Sequence, residues 1–214
     1  MNTGTVESIY RERFNRFLTP LAARVQDYLR DLVKDLPHID RVAARAKSVD
    51  RFVAKADKVF SGEKKYSDPF AQIQDQIGAR IVVFYLRDVA VVARRVDDHL
   101  RKIETQAIVP DSEAEFGYFG QHFILFLPSE LFDAEIPQNQ TPKFFELQIK
   151  TLYQHAWAEA SHDLAYKPPE ELTADDRRKV AFTAAQSWGA DQVFDDLFGR
   201  VIADPKICGG MPKQ

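Results

Sequence analysis

The sequence is poor in the residues that would indicate several large classes of protein. Cys208 is the only cysteine among 214 residues, so no disulfide can form within the chain, and we expect a cytoplasmic protein. No uninterrupted apolar run approaches the ~18 residues that a membrane-spanning helix needs. The first residues carry acids and lack an apolar core, so no secretory signal is expected. With 45% hydrophobic residues and 9 glycines, the composition favours one soluble globular domain.

Common nucleotide-binding and catalytic motifs are also missing. The sequence has no GxxxxGK[ST] phosphate loop, no GxGxxG, no GxSxG and no CxxC. His155, Glu159 and His162 share one face of a predicted helix, but their spacing is not the HExxH pattern of zinc enzymes. We interpret them as side chains that form hydrogen bonds beneath a neighbouring site.

Charge is distributed unevenly, although the net charge is only −3. Residues 111–142 contain no lysine or arginine, and three acids lie close together at Asp111, Glu113 and Glu115. Residues 41–80 are net positive, with the basic side chains Arg41, Arg45, Lys47, Arg51, Lys55, Lys58, Lys64, Lys65 and Arg80. A single charged run is often only a solvated face. Two opposed runs in one domain indicate a bipolar site with one anion-binding wall.

Hydrophobic periodicity predicts an α+β fold with α/β character, in which helices flank a mixed β-sheet. Helices are predicted over residues 5–18, 20–35, 49–60, 89–103, 151–166 and 173–200. Strands are predicted over residues 39–47, 78–85, 105–109, 121–127 and 143–150. We divide the chain into N-terminal helices (1–38), a core (39–167) and a C-terminal helix with its tail (168–214), all within one structural domain.

Two helix starts can be read from the same pattern. Ser48 is suited to cap the helix that follows it, and Asp88 to cap the next one. In the helix after Ser48, Lys55 is expected on a basic face, whereas Phe52 and Phe60 are expected to turn inward.

The predicted strand FFELQIK separates polar from apolar side chains. Glu146, Gln148 and Lys150 point to one face, and the residues between them point to the core. Asp75 immediately precedes another predicted core strand. Because one or two carboxylates together with substrate phosphates usually hold Mg²⁺, Asp75 and Glu146 form a candidate metal pair if their strands are neighbours.

Five stretches in order resemble the alarmone synthetase domain of the RelA/SpoT family. They are RAKSVDRFVAK (45–55), DQIGARIVVFYLRD (75–88), GYFGQH (117–122), FELQIKT (145–151) and HAWAEASHDLAYK (155–167). The resemblance implies a nucleotidyltransferase-like mixed sheet and a stand-alone small synthetase. It implies Mg²⁺-dependent transfer of pyrophosphate from ATP to the ribose 3′-hydroxyl of GDP or GTP, making (p)ppGpp.

The same resemblance implies a role for each matching residue. The ATP side would comprise Arg45, Lys47, Ser48, Lys55 and Arg80. Asp75 and Glu146 would be the catalytic carboxylates and the Mg²⁺ ligands. The acceptor side would comprise Tyr118, which would stack on the base, with Gln148, Lys150 and His155. The resemblance also leaves room for a homo-oligomer and for an antitoxin partner; no membrane association is expected.

The sequence departs from the family pattern on the acceptor side. Gly120 and Lys150 stand where the family commonly has serine and arginine, and acids at 111–115 replace residues that are often basic. Lysine cannot reproduce the bidentate contacts of arginine, and acids repel nucleotide phosphates. Two alternatives therefore stay open: a toxic relative that uses the same donor on the tRNA 3′ end or on adenosine nucleotides, and a catalytically silent nucleotide-binding module.

Overall fold

Helices and strands alternate along most of the chain. The computed structural model describes residues 3–108, 116, 120–132, 136, 140–165 and 171–202. The helices are α1 (Thr3–Arg13), α2 (Thr19–Val33), α3 (Val49–Ala56), α4 (Pro69–Gln72), α5 (Leu86–His99), α6 (Leu152–Ala165) and α7 (Ala174–Val201). The strands are β1 (Ile39–Ala46), β2 (Val59–Phe60), β3 (Glu63–Lys64), β4 (Ile77–Val83), β5 (Lys102–Ile108), β6 (Gly120–Phe126) and β7 (Phe144–Thr151). A π-helical turn spans Phe14–Leu18, and 3₁₀ turns span Gln74–Gln76 and Ser129–Leu131.

The five longer strands form one mixed sheet in the order β1-β4-β7-β6-β5. β4 runs parallel to β7, whereas the other neighbouring pairs are antiparallel. A parallel pair needs a long crossover connection, and the chain between β4 and β7 supplies it with α5, β5 and β6. The predicted fold class, a mixed sheet flanked by helices, is therefore confirmed.

The main hydrophobic core lies between the sheet and the helices α2 and α5. Phe145, Leu147 and Ile149 of β7 are fully buried there, together with Val25 and Leu29 of α2. Because side chains alternate along a strand, the residues between them in β7 lie on the opposite face. That face carries the polar row expected from the sequence.

A smaller core fixes α3 against α1. Tyr10 stacks on Phe52 with ring centroids 3.7 Å apart, and both rings are fully buried. The Tyr10 hydroxyl donates a hydrogen bond to the backbone carbonyl of Lys47 at 2.9 Å. This packing holds the basic segment that leads into α3 beside the sheet.

The helix predicted over 49–60 is wrong beyond Ala56. Val59 and Phe60 instead form β2, which pairs with β3, and Phe60 is 75% exposed rather than turned inward. The connecting residues Ser61 and Gly62 have φ of 52° and 85°, and positive φ at both positions is typical of a two-residue hairpin turn. The apolar spacing continued past the end of the helix, but this turn redirects the chain.

The two predicted caps also differ in detail. Ser48 does occupy the N-cap position of α3, but its side chain accepts no capping hydrogen bond. Asp88 lies in the first turn of α5 and not ahead of it, and it accepts a hydrogen bond from the backbone N–H of Tyr85 at 3.2 Å.

Within the described part of the chain, no helix is long and apolar enough to cross a membrane. The division at residues 38 and 167 stays a prediction, and Cys208 lies outside the described residues.

Candidate active site

The polar face of the sheet is formed by adjacent residues of β1, β4 and β7. Gly78 of β4 lies beside Arg45 of β1 and beside Glu146 of β7. Two residues further along, Arg80 lies beside Gln148. A Cβ atom placed on Gly78 would meet nothing within 4 Å. The sheet therefore leaves open space between a cationic strand and a carboxylate.

Glu146 is held by two hydrogen-bond donors on this face. Nδ1 of His122, in β6, lies 2.8 Å from Oε1 of Glu146, and Nε2 of Gln148 donates to the same oxygen at 3.1 Å. Burial raises the pKa of Glu146, but the hydrogen bonds from His122 and Gln148 outweigh it and hold the pKa below its usual value. Glu146 is consequently an oriented carboxylate at neutral pH.

Asp75 lies in the 3₁₀ turn that leads into β4, close to the strand position that faces Glu146. Nζ of Lys47 is 2.8 Å from one oxygen of Asp75, and Nζ of Lys55 is 3.0 Å from the other. Burial raises the pKa of Asp75, but the two ammonium groups outweigh it, so the pKa is lowered. The charge of Asp75 also raises the pKa of Glu146, which means that the two carboxylates share one electrostatic environment.

Arg80 connects the sheet to α6. Its Nη1 lies 2.5 Å from Oε1 of Glu159 and 3.5 Å from Nδ1 of His155. Burial raises the pKa of Glu159, but Arg80 outweighs it and lowers the pKa. As their spacing suggested, His155 and Glu159 form hydrogen bonds beside the polar row. Their contacts with Arg80 connect β4 to α6.

Positive charge is crowded around Arg80. Lys150 is only 5% exposed, and burial followed by repulsion from Arg80 lowers its pKa to about 8. The same two causes, in the same order, lower the pKa of Arg45 and of His155. Each of these groups would be stabilised by a nearby anion, because an anion offsets both the repulsion and the lost hydration.

The fold brings most of the sequence-predicted residues onto this one face. The residues that lie on or beside it are Arg45, Lys47, Lys55, Asp75, Arg80, Glu146, Gln148, Lys150 and His155. Ser48 follows Lys47 in the chain, at the start of α3. The condition for a metal pair, that the strands of Asp75 and Glu146 are neighbours, is met because β4 pairs directly with β7; the pair itself stays a prediction. Tyr118 and the acids at 111–115 lie outside the described residues.

His122 is a member of the site that the sequence reasoning did not single out. It lies opposite Gln148 in the β6–β7 pair, on the side of β6 away from the buried Phe123 and Leu125. The alternation of HFILF contained this signal, because an inward Phe123 places His122 on the polar face. What the pattern lacked was the pairing of β6 with β7.

The residues of the site fit a Mg²⁺ ion that is completed by a substrate. Two ionised carboxylates are present, and each oxygen of Asp75 faces a cation, the ammonium group of Lys47 or of Lys55. In the described segments, no cluster of three or more His, Cys, Asp or Glu side chains could hold a metal by itself. A pair of carboxylates that needs phosphate oxygens to complete the coordination is the usual arrangement for Mg²⁺.

Comparisons with known proteins agree with this fold. A family model described as the region found in RelA / SpoT proteins matches residues 44–171. No curated protein sequence matches significantly. Among solved structures, the small alarmone synthetase 1 from Bacillus subtilis bound to its product pppGpp has a TM-score of 0.71 and 20% identity, covering 89% of this chain and 99% of that one.

Two further structures have related folds. A GTP pyrophosphokinase family protein from Streptococcus pneumoniae has a TM-score of 0.69 and 20% identity, covering 89% of this chain and 93% of that one. The type VI effector Tas1, in complex with its immunity protein, has a TM-score of 0.50 and 14% identity, covering 90% and 99%.

A mixed five-stranded sheet with flanking helices is the fold that this chain shares with the alarmone synthetases among these structures. Because the family model matches more than half of the chain, the protein belongs to the RelA/SpoT family. Membership and fold together support pyrophosphoryl transfer as its general activity.

Proposed function

We propose that the domain transfers pyrophosphate from ATP to the ribose 3′-hydroxyl of GDP or GTP, with Mg²⁺, to make (p)ppGpp. The observation that carries this proposal is the meeting of two ionised carboxylates, Asp75 and Glu146, with crowded cations around the open space at Gly78. Phosphoryl-type transfer depends on positioning, on cations that stabilise developing negative charge, and on a base for the attacking hydroxyl.

The donor is assigned to the β1–α3 side of the site. Lys47 and Lys55 lie at one end of it, where they hold Asp75, and Arg45 lies beside the open space on β1. When ATP binds in this arrangement, Lys47 and Lys55 would release Asp75 and contact the triphosphate oxygens instead. Ser48 adds an exposed hydroxyl at the start of α3, and Arg80 adds charge from β4.

The reaction breaks one bond and forms another. The 3′-oxygen of the acceptor attacks the β-phosphorus of ATP, the bond from that phosphorus to the α,β-bridging oxygen breaks, and AMP leaves. Glu146 takes the hydroxyl proton, and His122 and Gln148 keep its carboxylate aimed. When bound at Asp75 and Glu146, Mg²⁺ supplies charge neutralisation to the phosphate oxygens.

The acceptor is assigned to the β7–α6 side. Gln148 and His155 border that side, Lys150 is buried at the end of the row, and Tyr118 is the proposed stacking residue. The B. subtilis neighbour that contains its product pppGpp supports a guanosine acceptor for this fold. The similarity to Tas1, seen with its immunity protein, keeps a toxic relative with another acceptor and a neutralising partner as the second candidate.

The decisive experiment offers ATP and Mg²⁺ with one acceptor at a time: GDP, GTP, an adenosine nucleotide or deacylated tRNA. Labelled pyrophosphate in GDP or GTP supports the proposal, and label only in tRNA or adenosine nucleotides moves the assignment to the second candidate. Label in none of them favours a silent nucleotide-binding module. Glu146→Gln should abolish transfer, whereas Glu130→Gln, on the exposed 3₁₀ turn, is the matched control and should retain it.

A further inference from the structure

A cavity away from the polar face lies between the start of α5 and the helices α6 and α7. Its volume is about 110 Å³, and its walls include Trp157 of α6 and Trp188 of α7. These are the only 2 tryptophans in the sequence. The indole of Trp157 is oriented by hydrogen bonds to the Val180 carbonyl at 3.3 Å and to Thr183 at 3.2 Å. The cavity therefore has one fixed aromatic wall and a second, more exposed one.

The same cavity contains a buried carboxylate with an unused acceptor. Asp191 is 3% exposed, and its Oδ2 accepts a hydrogen bond from the hydroxyl of Thr151 at 2.7 Å. Oδ1 is buried and has no hydrogen-bond partner among the described residues. A buried acceptor without a donor is rare in folded proteins because it has lost its hydration without replacement.

Within the part of the chain that the structure describes, no side-chain cation donates to the buried Oδ1 of Asp191. Arg87, next to the cavity in α5, is engaged by the side chain of Asp195 at 3.0 Å and by its backbone carbonyl at 2.7 Å. Burial, opposed by the hydrogen bond from Thr151 and reinforced by the charge of Asp195, raises the pKa of Asp191 to about 6. At neutral pH the group is still mostly ionised, so the cavity contains a negative charge that none of the described side chains neutralises.

We propose that this cavity binds a small organic cation with a guanidinium or primary ammonium group, which pairs with the carboxylate of Asp191 and lies against Trp157 and Trp188. Indole faces attract cations, and they do so most strongly where water is excluded. A cavity of this order accommodates a ligand of about six heavy atoms. A full nucleotide is too large, so the ligand class differs from the substrates of the polar face.

The cavity and the polar face lie on different sides of α6. His155 and Glu159 contact Arg80 on the polar face, whereas Gln154 and Trp157 line the cavity. The spacing of 3.6 residues per turn places these two pairs on nearly opposite sides of the helix. Thr151 connects the two regions, because it is the last residue of β7 and donates to Asp191.

The first test titrates the whole chain with methylguanidinium while tryptophan fluorescence is recorded, at constant ionic strength maintained with KCl. Because both tryptophans line the cavity, the signal reports on it directly. N-methylurea is the matched neutral probe of nearly the same shape. We expect a saturable change with methylguanidinium and none with N-methylurea. No saturable change, or equal changes with both probes, would overturn the proposal and leave ordered water as the occupant.

Two variants test separately the charge of Asp191 and the free volume of the cavity. Asp191→Asn keeps the shape but removes the charge, and it should weaken methylguanidinium binding at least tenfold. Ala184→Leu keeps Asp191 but fills the cavity from a buried wall position, and it should have the same effect. Circular dichroism and a melting curve establish that each variant is folded. If a folded Asp191→Asn protein binds the cation as tightly as the original chain does, the carboxylate is not the recognition element.

Discussion

Replacing His122 by phenylalanine tests whether the histidine orients Glu146. The substitution keeps a planar ring but removes the nitrogen that lies 2.8 Å from Oε1 of Glu146. The His122 and Glu146 side chains are only 12% and 20% exposed, so water replaces the lost donor poorly. A hydrogen bond to a charged group contributes about 1.5–3 kcal/mol. At about 1.4 kcal/mol per factor of ten, kcat should fall roughly ten- to a hundredfold.

The substitution should also change the pH dependence in a defined direction. Burial and Asp75 raise the pKa of Glu146, and the hydrogen bonds from His122 and Gln148 bring it below its usual value. Without His122, only the hydrogen bond from Gln148 opposes burial and the charge of Asp75, so the pKa of Glu146 rises. Since the reaction needs the carboxylate form, the acid limb of the kcat profile should move to higher pH.

The assay measures initial rates of AMP formation at saturating ATP and acceptor across the acid limb. His99→Phe is the matched control, because His99 is an exposed histidine at the end of α5. It should leave both the rate and the profile unchanged. An unchanged kcat and acid limb in His122→Phe, or equal losses in both variants, would refute the orienting role of His122.

Three further predictions concern single groups. Burial, and next to it the charge of Arg80, lowers the pKa of Lys150 to about 8, so kcat should decline as pH rises through that value. Lys150→Arg should remove the decline in the same rate assay, because arginine stays charged. Burial raises the pKa of Asp191 to about 6, so this group makes the folded protein less stable as pH rises from about 4 to 6. Asp191→Asn should therefore increase the free energy of unfolding at neutral pH, by up to about 3 kcal/mol in urea titrations. A less stable Asp191→Asn protein at that pH would contradict this sign. The hydroxyl of Thr173 caps α7 by accepting a hydrogen bond from the backbone N–H of Asp176. Thr173→Ala should lower the free energy of unfolding by about 1 kcal/mol in the same titration. An unchanged free energy of unfolding would mean that the cap is not formed.

Much of the site could be predicted from local patterns. Strand alternation was enough to separate Glu146, Gln148 and Lys150 from the core residues between them, because the two-residue period does not depend on strand order. The neighbouring positions of β4 and β7 needed the further assumption that their strands pair, and the sheet bears this out.

The features that sequence reasoning missed depend on distant contacts. His122 reaches Glu146 only because β6 pairs with β7, and Thr151 donates to a residue 40 positions away. The error at Phe60 has a local cause, since helical spacing continued into a segment where the Ser61–Gly62 turn makes a hairpin. Periodicity describes which face a side chain takes within an element, but it does not determine where an element ends.

The most direct measurement follows the β-phosphate of ATP. With ATP labelled at that phosphate, Mg²⁺ and GDP, the original chain should transfer the label to the 3′ position of the guanosine and release unlabelled AMP in equal amount. Glu146→Gln should give neither product. Label that remains on the adenosine nucleotide while the γ-phosphate alone is lost would contradict pyrophosphoryl transfer, as would undiminished transfer by Glu146→Gln.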